Sequence, residues 1–504
     1  MIFNSLEFIA VFLPLAYLGF LLAARVGGRE TLPAYIAAVS VIFYAQFSTT
    51  LAMILVGSIL FNYCASAAIL RARRSENGGA KGIVTGAIIA NVMALGYFKY
   101  TNFFIQVAND MAGMGMDHVN IILPVGISFY TFVQIGYLLD AYSGQIEKQP
   151  TLSRYAVFAA FFPAVTAGPL VLSREMLSQM NEWKAFEPRR LGVGLAIFAA
   201  GLFKKVVLAD AIAPFADVAF DGVAGGASIA PLVAWLGSLA YALQLYFDFS
   251  GYSDMAIGLG LIFGLRLPLN FNSPFKATSI SEFWRRWHMT MTRFFTTYLY
   301  TPLAYRGMRK VMGKGGEASR MERFVLTAGG PVLFTFLIAG IWHGAGWTFV
   351  VYGVIHGVAL AINHAWREFK MPAVSDLTGW ALTMGVVVSG LVVFRAPDLA
   401  TAVTIWGEMW TFGLFSDAAA NAVQMDVFGA SAFIVVLGAV VMLMPNTQEL
   451  TGSDRITSDE TATDALPRAL RWRPSPAWAV TAGVVLVLGI GKIGSNSSFL
   501  YYQF

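Results

Sequence analysis

Charged residues and cysteine are both scarce in this chain. Only 12% of its 504 residues are charged and 57% are hydrophobic, whereas about 25% of the residues of a soluble domain are charged. The composition therefore excludes a soluble globular enzyme and predicts a polytopic membrane protein. The single cysteine, Cys64, excludes an intramolecular disulfide and a cysteine-based metal site, and we expect no metal. The net charge of +5 is small and spread over loops, which indicates membrane orientation and not nucleic-acid binding.

Histidine is also rare, and one of the five histidines has unusual surroundings. His343 lies in the stretch Gly340-Ile-Trp-His-Gly344, inside an apolar segment that runs from Val325 to Ala361. An ionisable side chain at membrane depth is costly unless it faces a cavity or a partner, and imidazole is suited to moving a proton near neutral pH. We expect the flanking glycines to leave room for a substrate. The alternative is a buried structural histidine that donates to a carbonyl.

The distribution of basic loops predicts the orientation of the chain. Arg25 and Arg29 follow the first predicted helix, and a second basic loop, Arg71–Lys81, follows the third. Both loops are assigned to the cytoplasm, which places the N-terminus outside. The last helix then leaves the cytoplasm after a polar cytoplasmic loop at 452–474, so that the tail 494–504 is extracytoplasmic. Five of the predicted spans are Leu6–Val26, Leu32–Ser48, Leu51–Leu70, Gly82–Tyr100 and Pro476–Ile493.

Some apolar stretches lack the pattern of a simple helix. Leu123–Phe132 and Phe161–Pro169 contain proline and glycine, which predicts broken or re-entrant elements shielded by protein. Leu191–Ala213 is predicted to be a helix interrupted at Lys204 and Lys205. Ile229–Leu265 is too long for one span, so we predict two helices, or a helix and a re-entrant turn. In all, we predict a single membrane domain over residues 1–504 with roughly 11–13 membrane elements.

Two carboxylates lie within the longest of these stretches. Asp248 and Asp254 would be costly if they faced lipid. We therefore predict that one of them pairs with Arg285 or Arg286. Such a pair could serve the chemistry or only hold the fold in place.

The stretch Ser279–His288 contains the start of a helix. Ser279 and Glu282 fit a capping box, which predicts a helix from Ile280 onward. On a continuous helix, four side chains at spacings of four, three and four form one apolar stripe. They are Trp284, His288, Met291 and Phe295. His288 therefore belongs to the apolar face, and a core histidine stacked on Trp284 is the alternative to a functional one.

The remaining histidines have weaker claims to function. His356 lies thirteen positions after His343, or about 220° around a straight helix. It is interpreted as structural unless Gly344 and Gly346 break that helix. His118 is expected to be exposed, and His364 to be interfacial.

Five of these stretches together resemble the membrane-bound O-acyltransferase (MBOAT) family, of the type that O-acetylates alginate. The stretches are Leu123–Phe132, Ala167–Pro169, Tyr246–Gly258, Glu282–His288 and Gly340–Gly344, and the tail Phe499–Phe504 matches as well. The resemblance implies an all-α MBOAT fold around a central tunnel, with a catalytic core at 120–370. It implies that His343 is catalytic and that His288 is the second motif histidine. The candidate substrate-binding residues are Trp284, Trp287, Trp342, Asp248, Asp254, Arg285 and Arg286.

The resemblance also implies substrates and partners. The donor is acetyl-CoA, with D-alanyl carrier protein as the alternative in relatives, and no cofactor is expected to be bound permanently. The partners are an exopolysaccharide, membrane lipid and an extracytoplasmic acetyltransferase of the SGNH type. The location is the bacterial inner membrane. Independently of the family, transfer from a thioester to a hydroxyl needs a base, and a buried neutral imidazole such as His343 can serve.

The C-terminal tail suggests a covalent step. Its pattern, Phe499-x-Tyr501-x-x-Phe504, resembles a tail motif of the family. A thiol has a pKa of about 8.5 and a phenol about 10, so passing an acyl group to Tyr501 would be roughly balanced. The alternative is an aromatic anchor at the membrane interface.

Two other function classes stay open at this point. A transporter would also place carboxylates and broken helices at the membrane midplane, but it would have inverted repeats, and the sequence has none that we can see. A structural subunit of an export complex would retain acetylation after His343→Ala.

Overall fold

The computed structural model is built from helices, and it describes residues 1–75, 78–315, 317–410, 422–452, 472–494 and 499–500. Within these ranges the β-type pairing is limited to one isolated bridge between Ser228 and Ala422. Among the described residues, eight helices are long and apolar enough to cross a membrane, and three shorter apolar helices accompany them. The predicted all-α polytopic fold is confirmed. The eight long spans are Phe8–Gly27, Thr49–Arg74, Ala80–Ala112, Pro188–Ala224, Pro231–Ile262, Arg320–His343, Trp347–Glu368 and Asp376–Arg395.

The described residues form a long series of helices. In chain order the α-helices are α1 (Leu13–Gly27), α2 (Leu32–Ala45), α3 (Thr49–Arg74), α4 (Ala80–Ala112), α5 (Ile127–Ser143), α6 (Leu152–Ala160), α7 (Ser173–Gln179), α8 (Pro188–Phe203), α9 (Asp210–Ala224), α10 (Pro231–Ile262), α11 (Ile280–Arg286), α12 (Met289–Phe295), α13 (Thr301–Gly313), α14 (Arg320–Phe324), α15 (Gly330–His343), α16 (Trp347–Glu368), α17 (Asp376–Arg395), α18 (Leu399–Met409), α19 (Val427–Leu443), α20 (Thr447–Thr451) and α21 (Pro476–Ile490). The π-helical segments are Phe8–Phe12, Lys204–Ala209, Thr296–Tyr300 and Val325–Gly329, and the 3₁₀ turns are Gly28–Glu30, Met180–Glu182 and Pro274–Lys276.

The chain divides into two compact units. The first comprises Met1–Phe203, Gly251–Leu269 and the described residues from Thr447 onward. Inside it, α8 and the end of α10 pack closely through small residues, as membrane helices often do. A methyl group on Gly194 would lie 2.7 Å from the carbonyl oxygen of Gly258.

The two stretches predicted to be broken also lie in the first unit. Gly126 has φ +72°, and α5 begins directly after it. A side chain at Gly126 would collide with the backbone of Val165 and Thr166, so glycine allows the two stretches to touch. The breaks are therefore confirmed. The fourth span is longer than predicted, because α4 continues to Ala112.

The second unit comprises Lys204–Ser250 and the described residues of Asn270–Asn446. It contains α9, the first part of α10, and α11 to α19. The prediction that Ile229–Leu265 forms two elements is wrong, because α10 is one helix of 32 residues. In the most apolar part of this helix, 83% of the residues are buried inside the protein. A helix enclosed by protein is not limited to the thickness of the lipid bilayer. The length of the stretch was therefore no reason to predict a break in it.

Candidate active site

A hairpin of two helices holds His343. Helix α15 ends at His343, Gly344 and Gly346 are extended, and α16 begins at Trp347. The helix break that would let His343 and His356 approach one another is therefore present. The two histidines lie on different helices of one hairpin. The angle of about 220° between them, which assumes one straight helix, therefore does not apply.

The glycines of this hairpin serve helix packing. A methyl group on Gly340 would collide with the carbonyl oxygen of Phe349, and one on Gly353 would collide with that of Phe336. Gly344 is covered by the Phe349 ring in the same way. The expectation that the flanking glycines leave room for a substrate is wrong, since α16 fills that space.

Aromatic rings enclose the His343 imidazole, which is 5% exposed. The centroid of its ring lies 5.0 Å from that of Trp342, 5.2 Å from Phe394 and 5.7 Å from Tyr352. The imidazole of His288 is the next ring, at 6.5 Å. The structure thus brings the two predicted histidines together.

His288 lies at a break and not on a continuous helix. Helix α11 ends at Arg286, and His288 has φ 43° before α12 begins at Met289. The predicted continuous helix is therefore wrong, although His288 is fully buried, as expected of the apolar face. The imidazole that packs on Trp284 is that of His356, at 5.1 Å, and not that of His288.

Asn270 orients His288 within this break. The Asn270 Oδ1 atom lies 3.0 Å from His288 Nδ1 and accepts from the Thr290 hydroxyl at 2.9 Å. Because Oδ1 can only accept, we assign the proton of the neutral imidazole to Nδ1. The backbone of Met289 also donates to the Asn270 carbonyl, at 2.9 Å. This assignment makes Nε2 the basic nitrogen of His288.

The predicted capping box at the start of α11 is confirmed. The Ser279 hydroxyl accepts from the backbone N–H of Glu282 at 3.2 Å, and Glu282 accepts from the backbone N–H of Thr278 at 3.0 Å. Burial opposes ionisation of Glu282, but the bonds from Thr278 and Arg286 outweigh it and lower the pKa of Glu282. Arg286 is held by this carboxylate at 2.8 Å.

The partner of Asp248 is a lysine. Lys205 Nζ lies 2.6 Å from Asp248 Oδ1 and 2.8 Å from Asp210 Oδ1. Lys205 belongs to the π-helical segment that interrupts the span after Phe203, so the predicted interruption is confirmed. Within the described ranges no ion pair joins Asp248 to an arginine, and the predicted pairing with Arg285 or Arg286 is wrong.

Asp254 lies in the first unit, where polar side chains surround it. It accepts from the Thr447 hydroxyl at 2.8 Å and from the Gln448 amide at 2.8 Å. The described partners of Asp254 are thus Thr447 and Gln448, and not the predicted Arg285 or Arg286.

The predicted tryptophans occupy three different places. Trp287 is buried in a cluster of rings, stacked at 5.6 Å on Phe283. Trp342 contacts both imidazoles, at 5.0 Å from His343 and 6.1 Å from His288. Trp284 lines a cavity, as does Arg285.

This cavity has a volume of about 280 Å³ and lies within the second unit. Its lining is Ser281, Trp284, Arg285, Met291, Thr292, Phe295, Thr296, Tyr300, Val332, Thr335, Phe336, Ala339, Leu360, His364 and Arg367. Two of these side chains have buried polar atoms with no hydrogen-bond partner among the described residues, namely Trp284 Nε1 and Thr292 Oγ1. A cavity that is mostly apolar, with a few unpaired polar groups, is typical of a ligand site.

The α15 wall of the cavity leads toward His343. Val332, Phe336 and Ala339 line the cavity at spacings of four and three, and His343 follows Ala339 after four more residues. These positions lie on one face of a helix. His343 is thus one turn beyond the cavity on the same helix face.

Sequence reasoning missed the roles of four residues of this region. Asn270 had no motif to mark it, and Tyr352 looked like part of an apolar span. His364, expected to be interfacial, is half-buried in the cavity wall. Lys205 had a usable signal, because a lysine inside an apolar run needs a carboxylate partner.

The tail is described only in part. Phe499 is buried in the first unit and stacks on Tyr252 at 4.3 Å. Tyr501 and most of the loop 452–474 lie outside the described residues.

Comparisons with known proteins agree with the motifs. The model of the membrane-bound O-acyltransferase family matches residues 141–403. The chain is 38% identical to a peptidoglycan O-acetyltransferase of Helicobacter pylori, over 80% of this chain and 79% of the relative. It is 33% identical to a probable alginate O-acetylase of Azotobacter vinelandii, over 100% of both chains. A teichoic acid D-alanyltransferase of Bacillus subtilis is 27% identical over 59% of this chain and 71% of the relative.

The family match covers more than half of the chain and the alginate relative covers all of it, in agreement with the apolar helices. This multi-pass O-acyltransferase belongs to the membrane-bound O-acyltransferase family.

Proposed function

We propose that the protein moves an acetyl group from a cytoplasmic thioester to hydroxyls of an extracellular polysaccharide, with His343 as the general base. The observation that carries the proposal is the position of His343 at the end of the helix face that lines the cavity. A donor lying in the cavity would present its acyl group near the two imidazoles. The hydroxyl proton passes to His343 during attack, and the same proton reaches the departing thiolate when the tetrahedral intermediate collapses.

The chemistry of the cavity fits an acetyl-CoA donor. The pantetheine arm carries amide carbonyls, which the Trp284 N–H and the Thr292 hydroxyl can bind. Arg285 and Arg367 supply positive charge for the phosphates. Tyr300, also in the lining, directly precedes the basic helix α13, which the positive-inside rule assigns to the cytoplasm.

His288 would serve as the second imidazole of the site. Its Nε2 is the nitrogen left basic by the bond from Nδ1 to Asn270. We propose that it orients the thioester or shares the proton, while Trp342 keeps both rings in place. Asp248 and Arg286, each held in an ion pair with a neighbouring side chain, would support the site without touching the substrate.

The relatives favour acetyl over D-alanyl transfer. Those named for acetylation are 32–38% identical to this chain over 80–100% of it. The D-alanyltransferases are 27–28% identical over 49–59%. We propose the bacterial inner membrane as the location, with both termini outside, and an extracytoplasmic SGNH-type acetyltransferase as a partner that completes transfer to the polymer.

The C-terminal tail would carry the acetyl group from the cytoplasmic donor to the extracellular acceptor. We propose that Tyr501 accepts it as a phenyl ester: the new C–O bond forms as the C–S bond of the thioester breaks, and the phenolic proton passes through His343 to the thiol. A sugar hydroxyl then attacks the ester, and the phenol leaves with its proton restored. The burial of Phe499, two residues earlier, supports this role.

One experiment tests this function with purified full-length protein in nanodiscs. Acetyl-CoA is supplied with either alginate or peptidoglycan fragments, and both thiol release and acetyl ester formation are measured. We expect the wild type to release thiol from acetyl-CoA and, once an SGNH-type partner is added, to form acetyl esters on the polymer, whereas His343→Ala should do neither. His118→Ala is the matched control, because His118 is exposed and bonded only at the surface to Gln106. Full activity of His343→Ala would overturn the proposal.

A further inference from the structure

A second buried histidine lies next to the proposed base and has no assigned role. His356, on α16, is 1% exposed. Its ring centroid lies 4.6 Å from that of Tyr352, which contacts His343 at 5.7 Å. On its other side it lies 5.1 Å from Trp284, in the wall of the cavity. His356 therefore bridges the side chain that supports the base and the side chain that lines the cavity.

The nitrogen atoms of His356 need explanation. Neither Nδ1 nor Nε2 has a hydrogen-bond partner among the described residues. Leaving a buried polar atom unpaired costs about 1–3 kcal/mol, and a phenylalanine or leucine would fill this position without that cost. An imidazole here therefore indicates a partner other than the side chains and backbone that the structure describes.

The fit around the ring is close. A methyl group on Gly390 of α17 would lie 2.5 Å from His356 Nε2. Glycine at this position lets α17 approach the imidazole edge, so a small change at Gly390 would displace His356 while leaving its chemistry intact. This gives a second way to perturb the residue.

We propose that His356 is a positioning residue for acyl transfer, which binds a small oxygen atom through its ring nitrogens and holds Tyr352 against His343. The oxygen belongs either to an internal water or to a carbonyl of the bound donor. The inference rests on the proposed role of His343. In both cases the imidazole couples the cavity wall to the orientation of the base.

Three variants test the proposal in the full-length protein with acetyl-CoA as the probe. His356→Phe keeps a ring and removes both nitrogens, whereas Gly390→Ala keeps the nitrogens and crowds the ring. Gly385→Ala is the matched control on the same helix, because no described atom lies within 4 Å of a methyl group there. We expect the first two to lower kcat/KM by roughly 10- to 100-fold, the cost of a small misplacement near the reacting atoms. The control should match the wild type.

The kinetic constants distinguish the two sources of the oxygen. A rise in KM for acetyl-CoA at unchanged kcat assigns the oxygen to the donor, and a fall in kcat at unchanged KM assigns it to a water. His356→Gln, which keeps a donor and an acceptor, should retain more activity than His356→Leu at equal thermal stability. This comparison also serves if His356→Phe does not fold.

Two results would overturn the inference. One is a wild-type kcat/KM for His356→Phe or for both His356→Gln and His356→Leu. The other is a loss of activity that is proportional to the loss of thermal stability in every variant. If His343→Ala is inactive while the His356 variants are normal, this inference alone fails. If His343→Ala is active, the proposed function fails first.

Discussion

Replacement of Lys205 by methionine removes the cation from a buried cluster of charges. Its side chain is 4% exposed and bridges Asp248, which is 1% exposed, and Asp210, which is 29% exposed. Methionine matches the length of the lysine stem, so packing changes little. Asp248 would then be buried next to a second carboxylate without this cation. Breaking a buried pair in this way costs about 3–5 kcal/mol.

The cluster also predicts an order among related variants. Asp248→Asn leaves Lys205 paired with Asp210 at 2.8 Å, so its cost is smaller, about 1–3 kcal/mol for one polar partner. The double variant Lys205→Met/Asp248→Leu removes both charges at once. It should be more stable than Lys205→Met alone, since an apolar pair often replaces a buried ion pair at little cost.

Unfolding by SDS in mixed micelles, followed by tryptophan fluorescence, measures these free energies. Lys204→Met is the control, because it changes the adjacent lysine, which is only half-buried. The reasoning is refuted if Lys205→Met and Lys204→Met lower stability equally. It is also refuted if the double variant loses as much free energy of unfolding as Lys205→Met and Asp248→Leu lose together when measured separately.

Three further predictions concern the site. Tyr501→Phe should abolish polysaccharide acetylation at normal expression, and mass spectrometry should find an acetyl adduct on Tyr501 that disappears in His343→Ala; full activity would leave only an anchoring role. Trp284→Phe should raise KM for acetyl-CoA by up to about tenfold at unchanged kcat, because one hydrogen bond of about 0.5–1.5 kcal/mol is lost; an unchanged KM would contradict donor binding at this side chain. Asn270→Ala should lower kcat roughly 100-fold, since His288 loses its orientation; thiol-release kinetics measure it, and a normal kcat would contradict the assigned role.

The sequence predicted those features that depend on local patterns. The capping box at Ser279 and the break at Gly126 follow from short-range rules on caps and glycine conformation. The two motif histidines were expected at one site, and their rings do lie 6.5 Å apart. Both histidines belong to the second unit.

The errors share a physical origin, which is tertiary packing. Gly340 looked like space for a substrate, but a second helix occupies it, since glycine serves equally well for close helix contact. Asp248 was paired with arginines near it in the motif order, whereas its partner Lys205 comes from a helix more than forty residues earlier. Neither outcome is encoded in local periodicity, because each depends on which helices become neighbours.

In the second unit, three buried ionisable residues lie where a helix ends or changes its geometry. His343 ends α15, His288 lies in the break between α11 and α12, and Lys205 lies in a π-helical segment. Each break releases backbone groups that lipid cannot satisfy, so such breaks occur only where protein or a cavity shields them. The same shielding allows an imidazole or an ion pair to stay at membrane depth. A break in an apolar helix next to an ionisable side chain therefore indicates a position inside the protein. The breaks at His343 and His288 belong to one candidate site, because the two imidazole rings lie 6.5 Å apart.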